Sequence, residues 1–283
     1  MRTRLAPLAI GMALALTGCG DDGASLAPAV SPSPTTSASS AAPTPSASAD
    51  TEARAIYWLG AAKEPRGPRL YREFVRRPAT ADAVRDAVSA MLSLEPTDPD
   101  YTSLWADGTT VRDVRREGTT AVVDLSREAT TNGGGSAFEE MSLQQLVHTV
   151  TAADPSVTAV RLLVEGKPVE TLWGSADASK PISRGPSYEV LGPVWLDVPD
   201  GSVLTGEFGG TATVFEATVS WQLRQGPELV EEGFATATEG GPGRGTWTAT
   251  ADVPPGDYEL WAFESSAEDG RVTWLDTKRV TVR

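Results

Sequence analysis

Gly210-Thr211-Ala212-Thr213-Val214-Phe215-Glu216-Ala217-Thr218-Val219-Ser220-Trp221-Gln222-Leu223 reads as extended backbone. From Ala217 onward it alternates, placing Val219, Trp221 and Leu223 on one face and smaller or polar residues on the other, the period of a half-buried strand. The same signal recurs on both sides. Val194-Trp195-Leu196 is predicted as an edge strand, followed further on by Thr246 to Thr250 and by Tyr258 to Phe263 after the Pro254-Pro255-Gly256-Asp257 turn. Trp274 and Val280-Thr281-Val282 close the chain. Short strands at regular spacing, Gly/Pro turns and no convincing helix predict an all-β sandwich over residues 185–283. With no Cys in this region, packing alone must hold it together.

Residues 55–174 read differently. Ala55 to Leu59 and Leu70 to Val75 are predicted strands. Thr80 is placed to cap a helix running to about Leu94, with Val84, Val88, Met91 and Leu92 on one face. Strands Thr110 to Arg115 and Thr119 to Leu125 are joined at Glu117-Gly118. Ser136-Ala137-Phe138-Glu139 has the pattern of a capping box opening a second helix, which turns Leu143, Leu146, Val147 and Val150 towards a core. Val157 to Val164 and Val169 to Leu172 complete a β-β-α-β-β-α-β-β order, the mark of an α+β layer.

The N-terminal 54 residues carry no such pattern. Arg2 and Arg4 precede an apolar run from Leu5 to Leu16, a length that suits a secretory leader and is too short to cross a bilayer core of about 30 Å. Leu16-Thr17-Gly18-Cys19 resembles a bacterial lipobox. The resemblance implies a signal peptide over residues 1–18, cleavage before Cys19 and acylation of its thiol, the chain's only one. Residues 19–54 are then a lipid-bearing linker. Of the 23 residues from Pro28 to Asp50, 21 are Ala, Ser, Pro or Thr, which cannot bury enough apolar surface to offset chain entropy, so a disordered tether is expected. As a coil the tether would reach about 30 Å.

Composition narrows the function. A net charge of −14, becoming −16 once Arg2 and Arg4 leave with the leader, disfavours nucleic acid. One Cys and one His exclude an intrachain disulfide and a Cys/His zinc cluster. No metal, cofactor or catalytic residue is predicted. His148 has no carboxylate at helical i−3 or i−4 spacing, since Glu139 and Glu140 lie further back. Glu228, Glu231 and Glu232 lack a calcium-loop pattern and read as a solvated strand edge, and Asp98-Pro99-Asp100 reads as a turn. Gly133-Gly134-Gly135 reads as a helix-entry loop. Gly241 to Gly245 lies between strands, which does not suit a phosphate cradle. A hydrolase using paired carboxylates such as Asp113 and Asp124 is the weakest reading.

Two resemblances sharpen the outline. Leu70-Tyr71, Trp105 to Thr109, Ala121 to Ser126, Leu146-Val147-His148-Thr149 and Val164-Glu165-Gly166 together resemble the GerMN domain, with Ala106 where that family's Pro is expected. The family is named for a spore-germination protein and also occurs in actinobacterial envelope lipoproteins. Gly210 to Val219, Gly233 to Ala237 and Gly241 to Gly245 resemble the immunoglobulin-like domain of bacterial spore-germination proteins, with Phe215-Glu216-Ala217 as the sharpest motif. The pairing implies a catalytically silent lipoprotein on the extracytoplasmic face of the cell membrane. Cys19 would anchor it, and its envelope protein partner or partners are unnamed. The alternative is a cell-wall glycan-binding lipoprotein. Between its apolar neighbours, Glu216 is expected either to be partly buried on backbone amides or to face a partner. Trp221, Trp247 and Trp261 are expected in the core, while an exposed Trp pair would offer a sugar-stacking platform.

Overall fold

The computed structural model describes residues 51–60, 67–266 and 268–283. The leader, Cys19 with its lipobox, and the tether as far as residue 50 lie outside the described residues.

The first module begins with β1 (Thr51–Gly60) and β2 (Leu70–Pro78), which pair antiparallel from Thr51↔Pro78 to Leu59↔Leu70. The strand thus starts four residues ahead of the expected boundary. Helix α1 (Ala83–Ser93) follows, then β3 (Tyr101–Thr102), β4 (Val111–Glu117), β5 (Thr120–Leu125) and α2 (Ser136–Ala153). Next come β6 (Ala159–Val164), β7 (Lys167–Pro168), β8 (Thr171–Leu172), β9 (Ala176–Asp177), β10 (Ile182–Ser183) and the short α3 (Ser187–Val190). β1 is central in one sheet, β2-β1-β3. The second runs β10-β6-β5-β4, with β5 and β6 parallel across the α2 connection. Parallel neighbours require such a crossover, and Val122, Val123 and Leu125 of β5 are buried as a strand covered on both faces should be. Val84, Val88 and Met91 of α1 and Leu143, Leu146, Val147 and Val150 of α2 join Trp58, Leu59 and Leu70 in one core.

Two caps differ from expectation. Asp82, not Thr80, accepts the Arg85 amide at 2.9 Å, while the Thr80 hydroxyl accepts the Asp82 amide and donates to Asp86. Asp82 stands three residues before Arg85, the reach an N-cap carboxylate needs. At α2 the cap position is Gly135, with φ of 86°, and Ser136 is already helical. Glu139 therefore sits one residue too deep for a capping box. Its carboxylate accepts instead from the Ser175 amide and hydroxyl, which hold it below the ordinary glutamate range.

The second module contains β11 (Val194–Leu196), β12 (Ser202–Leu204), β13 (Glu207–Ala212), β14 (Thr218–Gln225), β15 (Glu228–Thr236), β16 (Gly245–Thr250), β17 (Gly256–Ser265) and β18 (Val272–Val282). They form two sheets, β11-β13-β16 and β12-β18-β17-β14-β15. Val219, Trp221 and Leu223 of β14 face Phe208 and Trp247 across the interior as the alternation predicts. Gly210 is obligatory here: a Cβ would overlap the Trp195 carbonyl of the neighbouring strand. Trp261 departs from expectation. It is half-buried on the outer face, with Arg224 lying over its ring at 4.7 Å.

The two modules share a seam. Trp195 leaves the sandwich and packs into the first core, its indole N–H donating to the Leu70 carbonyl at 3.1 Å. The Gly192 amide donates to the same carbonyl. Asp98 and Tyr101, just before and within β3, meet Asp276 and Lys278 at the end of the sandwich. Lys278 Nζ donates to Asp98, to the Tyr101 hydroxyl at 2.6 Å and to Asp276 at 3.0 Å. The second Asp276 oxygen accepts the Leu196 amide at 2.7 Å.

Candidate interaction surface

On β14 the sheet register turns even-numbered residues outward, and just before it the chain makes a 3₁₀ turn over Phe215–Ala217. Glu216 and Ala217 both have positive φ, 52° and 57°, a region that side chains other than Gly rarely adopt. Surrounding bonds hold the turn in place. The Phe215 amide donates to Glu264 Oε1 at 3.0 Å, and the Ala237 amide donates to the Ala217 carbonyl at 2.8 Å. The product is a knuckle with its apolar ring outward: Phe215 is 69% exposed. Glu216 is exposed as well, contrary to a buried, amide-bonded carboxylate. The left-handed turn at Glu216 and Ala217 carries its side chain out to solvent beside Phe215.

Phe215 opens onto a groove of about 750 Å³ that also touches Trp274, Glu264 and Glu268. Ser220 and Ser265, whose hydroxyls lie 3.0 Å apart, join it to a second hollow of about 370 Å³ bounded by Phe234, Val272 and Glu232. Phe234 is 75% exposed. Among the described residues the walls carry Glu216, Glu232, Glu264 and Glu268 against a single cation, Arg271, itself paired with Asp269 at 3.0 Å. The surface is therefore two aromatic ends, a hydroxyl floor and an acidic rim. Of these, the sequence marked Phe215 and Glu216. It missed Phe234, whose signal was an aromatic on the solvent parity of a strand whose Ala235 faces inward.

The other sequence candidates fall elsewhere. His148 is buried against Tyr57, ring centroids 5.1 Å apart, and neither ring nitrogen is hydrogen-bonded among the described residues. Burial first, then Arg184 and Arg244, push its pKa down to about 3, so the imidazole stays neutral. Asp113 and Asp124 are register partners, engaged by Arg85 and Arg112 respectively. Glu231 accepts the Asp252 amide and Glu232 the Gln222 side chain. Gly133 to Gly135 form the entry loop to α2, and Gly241 to Gly245 connect to β16. All eight Trp are buried or half-buried, so no exposed pair forms a stacking platform among the described residues. Asp98, expected in an ordinary turn, is 1% exposed in the seam. Burial lifts its carboxyl to about 6 despite Lys278, whose own pKa is raised by the surrounding carboxylates. The overlooked signal was in β18, where Asp276 and Lys278 occupy the inward parity shared by Val280 and Val282.

Fold and surface together define a class: an α+β module fused to an immunoglobulin-like sandwich through a buried polar seam. Residues 55–170 match the Germane family, described as sporulation and spore germination, and residues 193–271 match Gmad2, the immunoglobulin-like domain of bacterial spore germination. The chain is thus a GerMN-type domain followed by a spore-germination immunoglobulin-like domain. The tandem GerMN domains of the sporulation protein GerM from Bacillus subtilis align over 65% of this chain and 59% of theirs, at 18% identity and TM-score 0.41. The first GerMN domain of GerM aligns over 47% and 98%, at 19% and 0.40. A putative lipoprotein from Clostridium perfringens aligns over 47% and 87%, at 21% and 0.30. This chain spans about three fifths of the tandem GerM structure's length. No curated protein matches it.

Proposed function

We propose that this protein is a non-enzymatic interaction module of the cell envelope, anchored through acylated Cys19 on the outer face of the membrane and holding its sandwich surface towards a protein partner. One observation carries the reading: a strained, hydrogen-bonded turn keeps Phe215 exposed at one end of a surface whose other end is the exposed Phe234. Native surfaces seldom maintain such a feature unless something covers it. The seam supports the same reading, because buried side chains of both modules meet across it. The lipobox pattern Leu16-Thr17-Gly18-Cys19 motivates the anchor.

The test is in-cell crosslinking of the full chain, comparing the unmodified protein with Phe215→Ser and Phe234→Ser. Crosslinked protein partners lost in both variants, with the fold retained, support the reading. Undiminished crosslinks, or retention on purified cell wall that free glycan competes away, contradict it. Labelling with an alkynyl fatty acid should mark the chain and fail in Cys19→Ser, and an unmarked wild-type chain would remove the anchor.

A further inference from the structure

We infer that the acidic aromatic groove receives a second copy of this chain, through the outer end of the β1–β2 ribbon. The inference rests on the interaction-module reading above and names the occupant of the same surface.

The large exposed residues include three Phe: Phe215 and Phe234 at the groove, and Phe74 on β2, 49% exposed. Along β2 the residues Phe74, Arg76 and Pro78 share one face, and their register partners Ala55, Ala53 and Thr51 on β1 lie on the same side. All but the half-buried Ala55 are exposed. This ribbon face therefore presents a ring, a guanidinium and small neutral neighbours. Its carboxylates are elsewhere: Glu52 alternates to the opposite side and pairs with Arg54 at 2.7 Å. No ion pair ties down Arg76 among the described residues. Arg72, next along the same parity, lies over the Phe74 ring at 4.6 Å and bonds Asp197, which stiffens the inner end of the row.

The groove is the complement in each respect. It offers two rings for a third, hydroxyls for a backbone edge, and four carboxylates against one already paired cation. In a chain of net charge −14, surfaces meeting at random repel, so a cationic apolar face opposite an anionic apolar groove is a specific match. The two surfaces differ, which makes the contact heterologous: each copy gives its ribbon to one neighbour and its groove to another. A groove-to-groove contact would set like charges against each other.

The experiment uses two full-length variants, Arg76→Cys and Glu216→Cys, in separately tagged chains mixed under mild oxidation, with the unmodified chain as control. A disulfide-linked pair carrying both tags is expected in the mixture and not in either variant alone. Adding Phe74→Ser to the Arg76→Cys chain should abolish it. Absence of the mixed pair, equal crosslinking within either single variant, or insensitivity to Phe74→Ser overturns the inference. Those results leave the wider reading to the Phe215→Ser and Phe234→Ser crosslinking comparison, so the two failures are distinguishable.

Discussion

The seam and the groove invert the usual partition of residues in opposite senses. At the seam, charge is inside: Asp98, Asp276 and Lys278 are each almost fully buried. At the groove, aromatic rings are outside. The difference lies in where the compensation is found. Every charge in the seam has a partner within the chain, with Lys278 donating to both carboxylates and Tyr101 donating its hydroxyl proton to Asp276. Among the described residues nothing covers Phe215 or Phe234. A buried polar cluster satisfied internally positions modules, whereas an apolar surface left uncovered calls for something external.

Removing Lys278 strikes the comparison hardest. Lys278→Ala would leave two carboxylates facing each other without their cation, a loss of about 3–5 kcal/mol, measured by denaturant unfolding of the full chain. A loss below about 1 kcal/mol would mean the seam is no more than surface electrostatics. Trp195→Ala should cost about 3–5 kcal/mol by emptying the site it fills in the first core. It should also resolve a single unfolding transition into two, observable by calorimetry, since Trp195 is the sandwich side chain that joins the first core.

The pH response sharpens the seam further. The Asp98 carboxyl is lifted from 3.8 to about 6 by burial, so between those values the folded chain binds a proton that the unfolded chain does not. Stability from this group therefore rises as pH falls through 6 and is fully gained below about 4. Unfolding free energies of the wild type should gain on those of Asp98→Asn over that window. A relative decline on acidification would show that Lys278 outweighs burial. The smallest effect belongs to the knuckle. Glu216→Gly relieves a left-handed residue and should stabilise by up to about 1 kcal/mol, whereas a marked destabilisation in a melting curve would give Glu216 a structural role after all.

Much of this architecture was legible from residue pattern because each module obeys local rules. Alternation set Val219, Trp221 and Leu223 inward, and helical spacing placed Leu143, Leu146, Val147 and Val150 in the core. The caps were harder. Thr80 against Asp82 and Ser136 against Gly135 are settled by which residue's geometry the following turn permits, and neighbouring polar residues leave several options open. Trp261 looked like core because composition does not report that an arginine on the neighbouring strand will cover it from outside. The seam was illegible for a different reason. Asp98 and Lys278 are separated by 180 positions, and only the tertiary fold brings them together. At the groove, Phe215 and Glu216 stood out by motif, but their exposure depends on two consecutive positive φ angles that no residue other than Gly announces.

A photo-crosslinking amino acid placed at Phe215 in the full-length chain, in living cells, tests the exposed surface most directly. The account predicts covalent capture of protein, lost when Phe234→Ser is added. Capture of nothing, while the same probe at buried Trp247 is equally silent and the chain is folded, would contradict it.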